Sequence, residues 1–223
     1  MLLAIDTSTS AIGVALHDGD RVVAERSVLD ARAHGELVAP GIVAVLQQTG
    51  LRPADVDAVV VGTGPGPFTG LRVGIVSART FALALDLPVH GLCSLDALAH
   101  EARQTTVDGP RRLVVATDAR RKEVYWAGYD LSGELPVREG EPVVCRPADL
   151  APQLGGRPVV GRGPHLYPEL GAVAPSSPRD VSAGWLADLA ARRLAAGEDL
   201  SDTTPRYLRR PDAVPSVAPV TVV

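Results

Sequence analysis

The chain has 223 residues, a formal charge of −4 and 46% apolar residues, enough to bury a core in one large domain or two small lobes. The acidic balance argues against a protein that holds nucleic acid by its overall field, and two cysteines are too few for a disulfide framework. Lys122 is the only lysine, which removes Schiff-base and P-loop lysine chemistry. Met1 leads straight into a strand-like run with no charged leader, and no apolar run approaches membrane-spanning length, so a cytoplasmic protein is expected.

Leu2 to Ile5 is a short apolar run ending in Asp6-Thr7-Ser8-Thr9, and Ala11 to His17 and Arg21 to Leu29 read as further strands around the turn Asp18-Gly19-Asp20. Apolar residues at helical spacing follow from Gly35 to Gln48. Asp57 to Val61 is a buried strand, Thr69 to Leu85 a helix and Pro88 to Leu92 a strand, and Ser94 is positioned to cap a helix through about Arg103. The order β-β-β-α-β-α-β-α is the layout of the lobe shared by actin, sugar kinases and the Hsp70 ATPase. After a polar link from Gln104, the second half resembles a degraded copy: strands at Leu113 to Thr117, Glu123 to Tyr129, Pro136 to Val144 and Pro158 to Val160, a short helix at Pro147 to Leu154, and a last helix from Val181 to Ala196 with Gly197 as its C-cap. The division is therefore a lobe over 1–103, a reduced lobe over 104–210 whose last helix packs back on the first, and an extended or disordered tail over 211–223.

In a two-lobed ATPase each lobe presents a phosphate loop after its first strand. Asp6, Thr7 and Ser8 offer a carboxylate for hydrated magnesium and hydroxyls for phosphate, a vestigial and weak nucleotide site. The second loop, Asp118-Ala119-Arg120-Arg121-Lys122, lacks the glycines that let a nucleotide approach the backbone. The glycine-rich stretch Gly62-Thr63-Gly64-Pro65-Gly66-Pro67-Phe68-Thr69-Gly70 matches neither a P-loop nor a dinucleotide fingerprint, and Pro65 and Pro67 remove two cradling N–H groups, so it reads first as a structural turn. The five histidines are scattered without ligand spacing, His34 reads as a residue near a helix start, and no G-x-S-x-G elbow is present. Cys93 precedes a helix start, which lowers a thiol pKa, against the plainer reading of a packed side chain.

The informative anomaly is the pair of long helices. Leu71, Ile75, Ala78, Ala82 and Leu85 cover a sheet, yet the opposite side of the same helix holds Val73, Val76, Ser77, Thr80, Leu83 and Ala84, with only Arg72 and Arg79 charged. The earlier helix uses Val38, Ala39, Ile42, Val45 and Leu46 for the core and leaves Leu37, Gly41 and Ala44 on a second face. Helices with so little polar surface are expected to meet a partner pair of helices. A direct nucleic-acid-binding module would use Arg111, Arg112, Arg120, Arg121, Arg206, Arg209 and Arg210, but the sequence shows no aromatic interleaving for base stacking.

With these residues in hand the chain resembles the TsaB (YeaZ) family of the TsaD/Gcp-like group. The resemblance rests on Leu3-Ala4-Ile5-Asp6-Thr7-Ser8, on His34 and the following helix with Pro40, and on the run from Gly62 to Gly74. It also rests on Asp118-Ala119-Arg120-Arg121-Lys122-Glu123-Val124-Tyr125 and Pro205-Arg206-Tyr207-Leu208-Arg209, with Pro67 where many relatives have serine. It implies an acetate kinase/Hsp70/actin-like (ASKHA) α/β fold with a reduced second lobe. It further implies a non-catalytic subunit in tRNA threonylcarbamoyladenosine formation: a platform for the catalytic TsaD, joined by the ATPase TsaE, pairing with itself when TsaD is absent, and needing no cofactor, metal or more than indirect tRNA contact. The partner surface it implies is carried onto Leu37, Gly41, Ala44, Val73, Val76, Ser77, Thr80 and Ala84. The alternative is a small ATP-binding or ATP-hydrolysing enzyme of the same fold.

Overall fold

Leu2–Asp6 (β1) is buried along its whole length and forms the middle of a five-stranded sheet. In the computed structural model, which describes residues 1–30, 34–106, 109–172 and 177–209 without the His34 side chain, β1 pairs antiparallel with β2 (Ala11–His17) and parallel with β4 (Ala58–Gly62). β3 (Val22–Leu29) and β5 (Val89–Leu92) complete the order β3-β2-β1-β4-β5. The period-2 alternation of a strand sends Leu3 and Ile5 to one face and Leu2 and Ala4 to the other, and both faces are covered.

On the first face lie α1 (His34–Thr49) and α2 (Phe68–Leu85), through Val38, Ile42, Val45, Ile75, Ala78 and Ala82. On the second lie α3 (Ser94–Thr105) and α6 (Ala183–Ala195), which also pack against each other. Beyond them stands a second sheet of β6 (Arg112–Asp118), β7 (Val124–Asp130), β8 (Val137–Cys145) and β9 (Val159–Val160), whose far face is covered by the short helices α4 (Pro147–Leu150) and α5 (Gly163–Leu166) and their flanking turns.

The order β8-β7-β6-β9 repeats β3-β2-β1-β4, with the same two antiparallel pairings and one parallel pairing. The second half is thus a reduced copy of the first, in which the parallel strand shrinks to two residues and its helix to four. The last helix does fold back onto the first sheet, against β1, β2 and β3. Gly197, the C-cap the sequence predicts, stands at φ +80° and donates to Leu194 O, while at the other end Ser182, inside the run read as helix, is the N-cap, its Oγ accepting the Trp185 N–H at 3.1 Å.

Four expectations change. Ser94 is no cap, because its hydroxyl is turned away from the helix N–H groups toward Asp6. Ala39 is exposed and does not join the core. Gly41 is buried with Val14 of β2 packed against it, so it belongs to the sheet-facing stripe of α1 and not to the outward face. And α2, 18 residues at mean hydropathy 1.3, is long and apolar enough by those two measures to cross a bilayer, contrary to the sequence reading. Here its inner stripe packs on β4 and β1, and its apolar character follows from covering a sheet with one side and leaving small and apolar residues on the other. Arg210 and the tail 211–223 lie outside the described residues.

Candidate functional site

The loop after β1 is where a nucleotide's magnesium would sit in a working ATPase of this shape, and the Asp6 carboxylate there is fully buried. Ser8 donates to Oδ1 through its backbone N–H at 2.8 Å and its hydroxyl at 2.7 Å, and Ser94 Oγ donates to Oδ2 at 2.6 Å. Ser94 Oγ in turn accepts the Gly64 N–H at 3.1 Å, and Thr7 Oγ1 donates to Gly70 O at 2.7 Å. The glycine-rich turn is therefore bound to this loop rather than open to a ligand. A side chain at Gly62 would collide with the Asp6 carboxylate, and one at Gly66 with the Ser8 backbone, so glycine is required there for close approach. The cavity between Ser8, Pro67, Asp118 and Asp180 measures about 10 Å³, room for about one water. Magnesium and a polyphosphate do not fit this loop as it stands.

The matching loop after β6 is built on the same local bond and has the opposite surroundings. Asp118 Oδ1 accepts the Arg120 N–H at 2.8 Å, two residues on, as Asp6 does from Ser8. Arg120, Arg121 and Lys122 then take φ values of +60°, +53° and +60° in succession. For side-chain-bearing residues the left-handed region costs roughly 1–2 kcal/mol each, so this turn persists only because it is held. Glu123 N–H returns to Arg120 O and Ala119 N–H to Glu123 O, both at 3.0 Å. Arg209 donates to Ala119 O at 2.7 Å and pairs with Glu123. The turn thus takes the left-handed path without glycine, and its three cationic side chains are all exposed.

Of the residues assigned to a partner face, Val76, Thr80 and Ala84 are exposed and Leu37, Ala44, Val73 and Ser77 half-buried. Val76 is 59% exposed, and beside these residues Val43 is 51% and Leu83 84% exposed. This gives α1 and α2 an apolar outward side that nothing in the chain covers among the described residues.

The family described as TsaD, tRNA N6-adenosine threonylcarbamoyltransferase, matches residues 28–213. YeaZ from Pseudomonas aeruginosa superposes with a TM-score of 0.77 at 32% identity, over 93% of this chain and 99% of that one. The chain belongs to the TsaD-like family, in its TsaB (YeaZ) branch. An uncharacterized protein of Mycobacterium tuberculosis is 42% identical over 96% of this chain and 94% of its own length. The tRNA threonylcarbamoyladenosine biosynthesis protein TsaB of Escherichia coli is 40% identical over 57% of this chain, which spans 54% of that protein.

In this TsaB-branch chain three features escape a sequence reading. The first is a strap over residues 200–209. Gly91 N–H donates to Leu200 O at 2.7 Å, Arg79 Nη2 to Thr203 Oγ1 at 2.6 Å, and Arg206 N–H to Thr63 O at 2.8 Å; Arg206 then reaches Glu141 at 2.9 Å and Arg209 the β6–β7 turn. The segment bonds to both sheets, and only the Pro205–Arg209 motif hints at it. The second is a buried carboxylate, Asp96, which accepts Tyr129 OH at 2.8 Å and Arg138 at 2.7 Å and lies 3.3 Å from Arg193, tying α3 and α6 to the second sheet. Burial and then the Asp96 charge push the neighbouring Cys93 thiol up to about 12, which ends the reactive-cysteine reading. The third is Asp188 on α6, 2.6 Å from His100 Nε2 and 2.7 Å from Arg192. Burial works against its charge, but the hydrogen bonds from His100 and Arg192 hold it well below the usual carboxylate range. Asp96 and Asp188 are each held by such partners within the fold, so they are fasteners between layers.

Proposed function

We propose that this protein is a subunit of the machinery that installs threonylcarbamoyl on adenosine beside the tRNA anticodon, serving as a platform and activator for a catalytic TsaD. The observation that carries the reading is the outward side of α2, where Val76 and Leu83 stand in solvent on a helix whose inner side already covers a sheet. Family membership supports the pathway. The closed Asp6 loop supports a non-catalytic role, since the carboxylate is fully buried and both of its oxygens already accept from Ser8 and Ser94 within the fold. TsaE joins the pair, and in the absence of TsaD two copies associate through the same face. No observation favours the alternative of a small ATPase, and no cofactor is assigned.

The test is co-purification with the cognate TsaD, together with transfer to tRNA from the adenylate donor. Product is expected only with both proteins present. Glutamate at Val76 and Leu83 abolishes co-elution while leaving the thermal midpoint within a degree or two, since exposed substitutions move stability by about 0.5 kcal/mol or less; glutamate at Val73 and Thr80 also abolishes it, with a lower midpoint because Val73 packs on the core. Retained co-elution removes this face from the assembly, and ATP turnover by the isolated chain replaces the platform with an enzyme.

A further inference from the structure

The cleft where the strap meets the β6–β7 turn joins two features that lie far apart in the chain. One is the row Arg120, Arg121 and Lys122, aimed outward by the left-handed turn. The other is an aromatic group: the Phe68 and Tyr207 rings lie 4.8 Å apart, tilted by 37°, and Arg72 Cζ sits 3.9 Å over Phe68 while its Nε donates to Tyr207 OH at 3.2 Å. Tyr207 keeps 37% of its surface exposed. Between row and rings is an open cleft of about 250 Å³, lined by Phe68, Tyr125, Tyr207, Arg120, Arg121 and Arg209.

The charge of this region reverses that of the chain. Arg72, Arg120, Arg121, Lys122, Arg206 and Arg209 stand here against Asp118, Glu123 and Glu141, an excess of three positive charges on a protein of formal charge −4. Asp118, Glu123 and Glu141 bond Arg120, Arg209 and Arg206 and hold the turn and strap in place. Arg121 and Lys122, the next two residues of the turn, are exposed. The same cluster corrects two sequence expectations. Aromatic residues do stand among these arginines, brought there from the start of α2, from β7 and from the strap. Arg111 and Arg112 do not join them: Arg112, at the opposite end of the seven-residue β6, pairs with Glu139 at 3.2 Å.

We propose that this cleft binds an unpaired stretch of an RNA strand, its phosphates on Arg120, Arg121 and Lys122 and one base on the outer face of Tyr207. A guanidinium row beside a half-exposed aromatic ring is the combination that single-stranded nucleic acid uses, the row tracking the backbone and the ring accepting any base. A lone nucleotide offers one phosphate group and one ring at a fixed short spacing, whereas a strand engages the row and the ring together. Arg72 places the site at the N-terminal end of α2, so the strand would run along the edge of the face proposed for TsaD. The inference rests on the proposed function in one respect, that the RNA offered is tRNA.

The test measures binding of labelled cognate tRNA to the complex of this chain with TsaD and to the chain alone, at several salt concentrations, with co-elution recorded for every variant. Arg121→Ala with Lys122→Ala is expected to weaken binding about 10-fold or more at 0.15 M salt and to make the slope of log K against log salt shallower by about 2. Tyr207→Leu weakens it about 10-fold with the slope unchanged, and Tyr207→Phe keeps wild-type affinity because the ring remains. Unchanged affinity in variants that still co-elute with TsaD overturns the inference and leaves the platform reading standing. A wild-type chain that never co-elutes with TsaD overturns the platform reading, and the isolated-chain arm then decides the RNA site. Displacement of tRNA by millimolar ATP that depends on Tyr207 assigns the cleft to a free nucleotide and overturns the strand.

Discussion

The turns that come after β1 and β6 occupy the same place in two sheets of the same topology and begin with the same aspartate-to-backbone bond, yet one is sealed and the other stands open. The difference lies in the segment beyond the parallel strand. After β4 comes a glycine-rich loop that lies on Ser8, then an 18-residue helix, and α3 supplies Ser94; after β9 comes only a four-residue helix. A loop acquires its role from the layer laid over it. With the layer present, Asp6 becomes a fastener; without it, the Asp118 turn becomes surface and needs the strap to keep its shape.

The largest effect separates the two aspartates. Asp6→Ala leaves Ser8 and Ser94 groups buried without their acceptor and is expected to destabilise by roughly 5 kcal/mol in urea denaturation, the low end for three hydrogen bonds to a charged group at about 1.5–3 kcal/mol each. Asp118→Ala, at a partly exposed site, is expected to cost about 1 kcal/mol; equal losses would break the comparison. Arg209→Ala comes next, because it removes an ion pair and a carbonyl contact that hold the turn: amide exchange at Ala119 and Glu123 rises while the Asp6 loop is unmoved. Arg121→Gly or Lys122→Gly should stabilise by about 0.5–1 kcal/mol, the relief of left-handed backbone less the added freedom of glycine in the unfolded chain. A loss instead would mean that these side chains contribute packing that offsets their backbone cost.

A separate effect is a pH dependence on α3. Burial and then the Glu25 charge raise Glu101 from 4.5 to about 7, so the folded protein holds a proton that the unfolded chain has released. The associated stability is complete below pH 4.5 and lost as pH rises through about 7. Glu101→Gln should therefore raise the thermal midpoint at pH 8 and leave it unchanged at about pH 4.

Strands and long helices were legible because each carries its own period: β2 and the body of α2 fall where alternation and helical spacing put them. Gly41 was misplaced because a residue without a side chain gives a wheel no direction, and only Val14 across the layer shows which way its backbone leans. Ser94 has the composition of a cap, and no local pattern announces a carboxylate 88 residues away that takes its hydroxyl. The Arg120–Lys122 turn was unreadable for a related reason. Left-handed backbone is signalled by glycine, and here tertiary contacts from Arg209 impose it on residues that signal the reverse. The aromatic cleft draws on three segments, so its composition exists only after folding.

The position of α6 has a consequence for the order in which the protein is made. All five strands of the first sheet have been synthesised by Leu92, but one of its faces is covered by residues 183–195, and β5 receives its bond to Leu200 later still. On the ribosome the emerging sheet must therefore wait for about ninety further residues with Leu2, Ala4, Ala15 and Val60 incompletely covered. At roughly 5–20 residues per second that interval lasts about 5–20 seconds, during which this face of the sheet stays partly open to solvent.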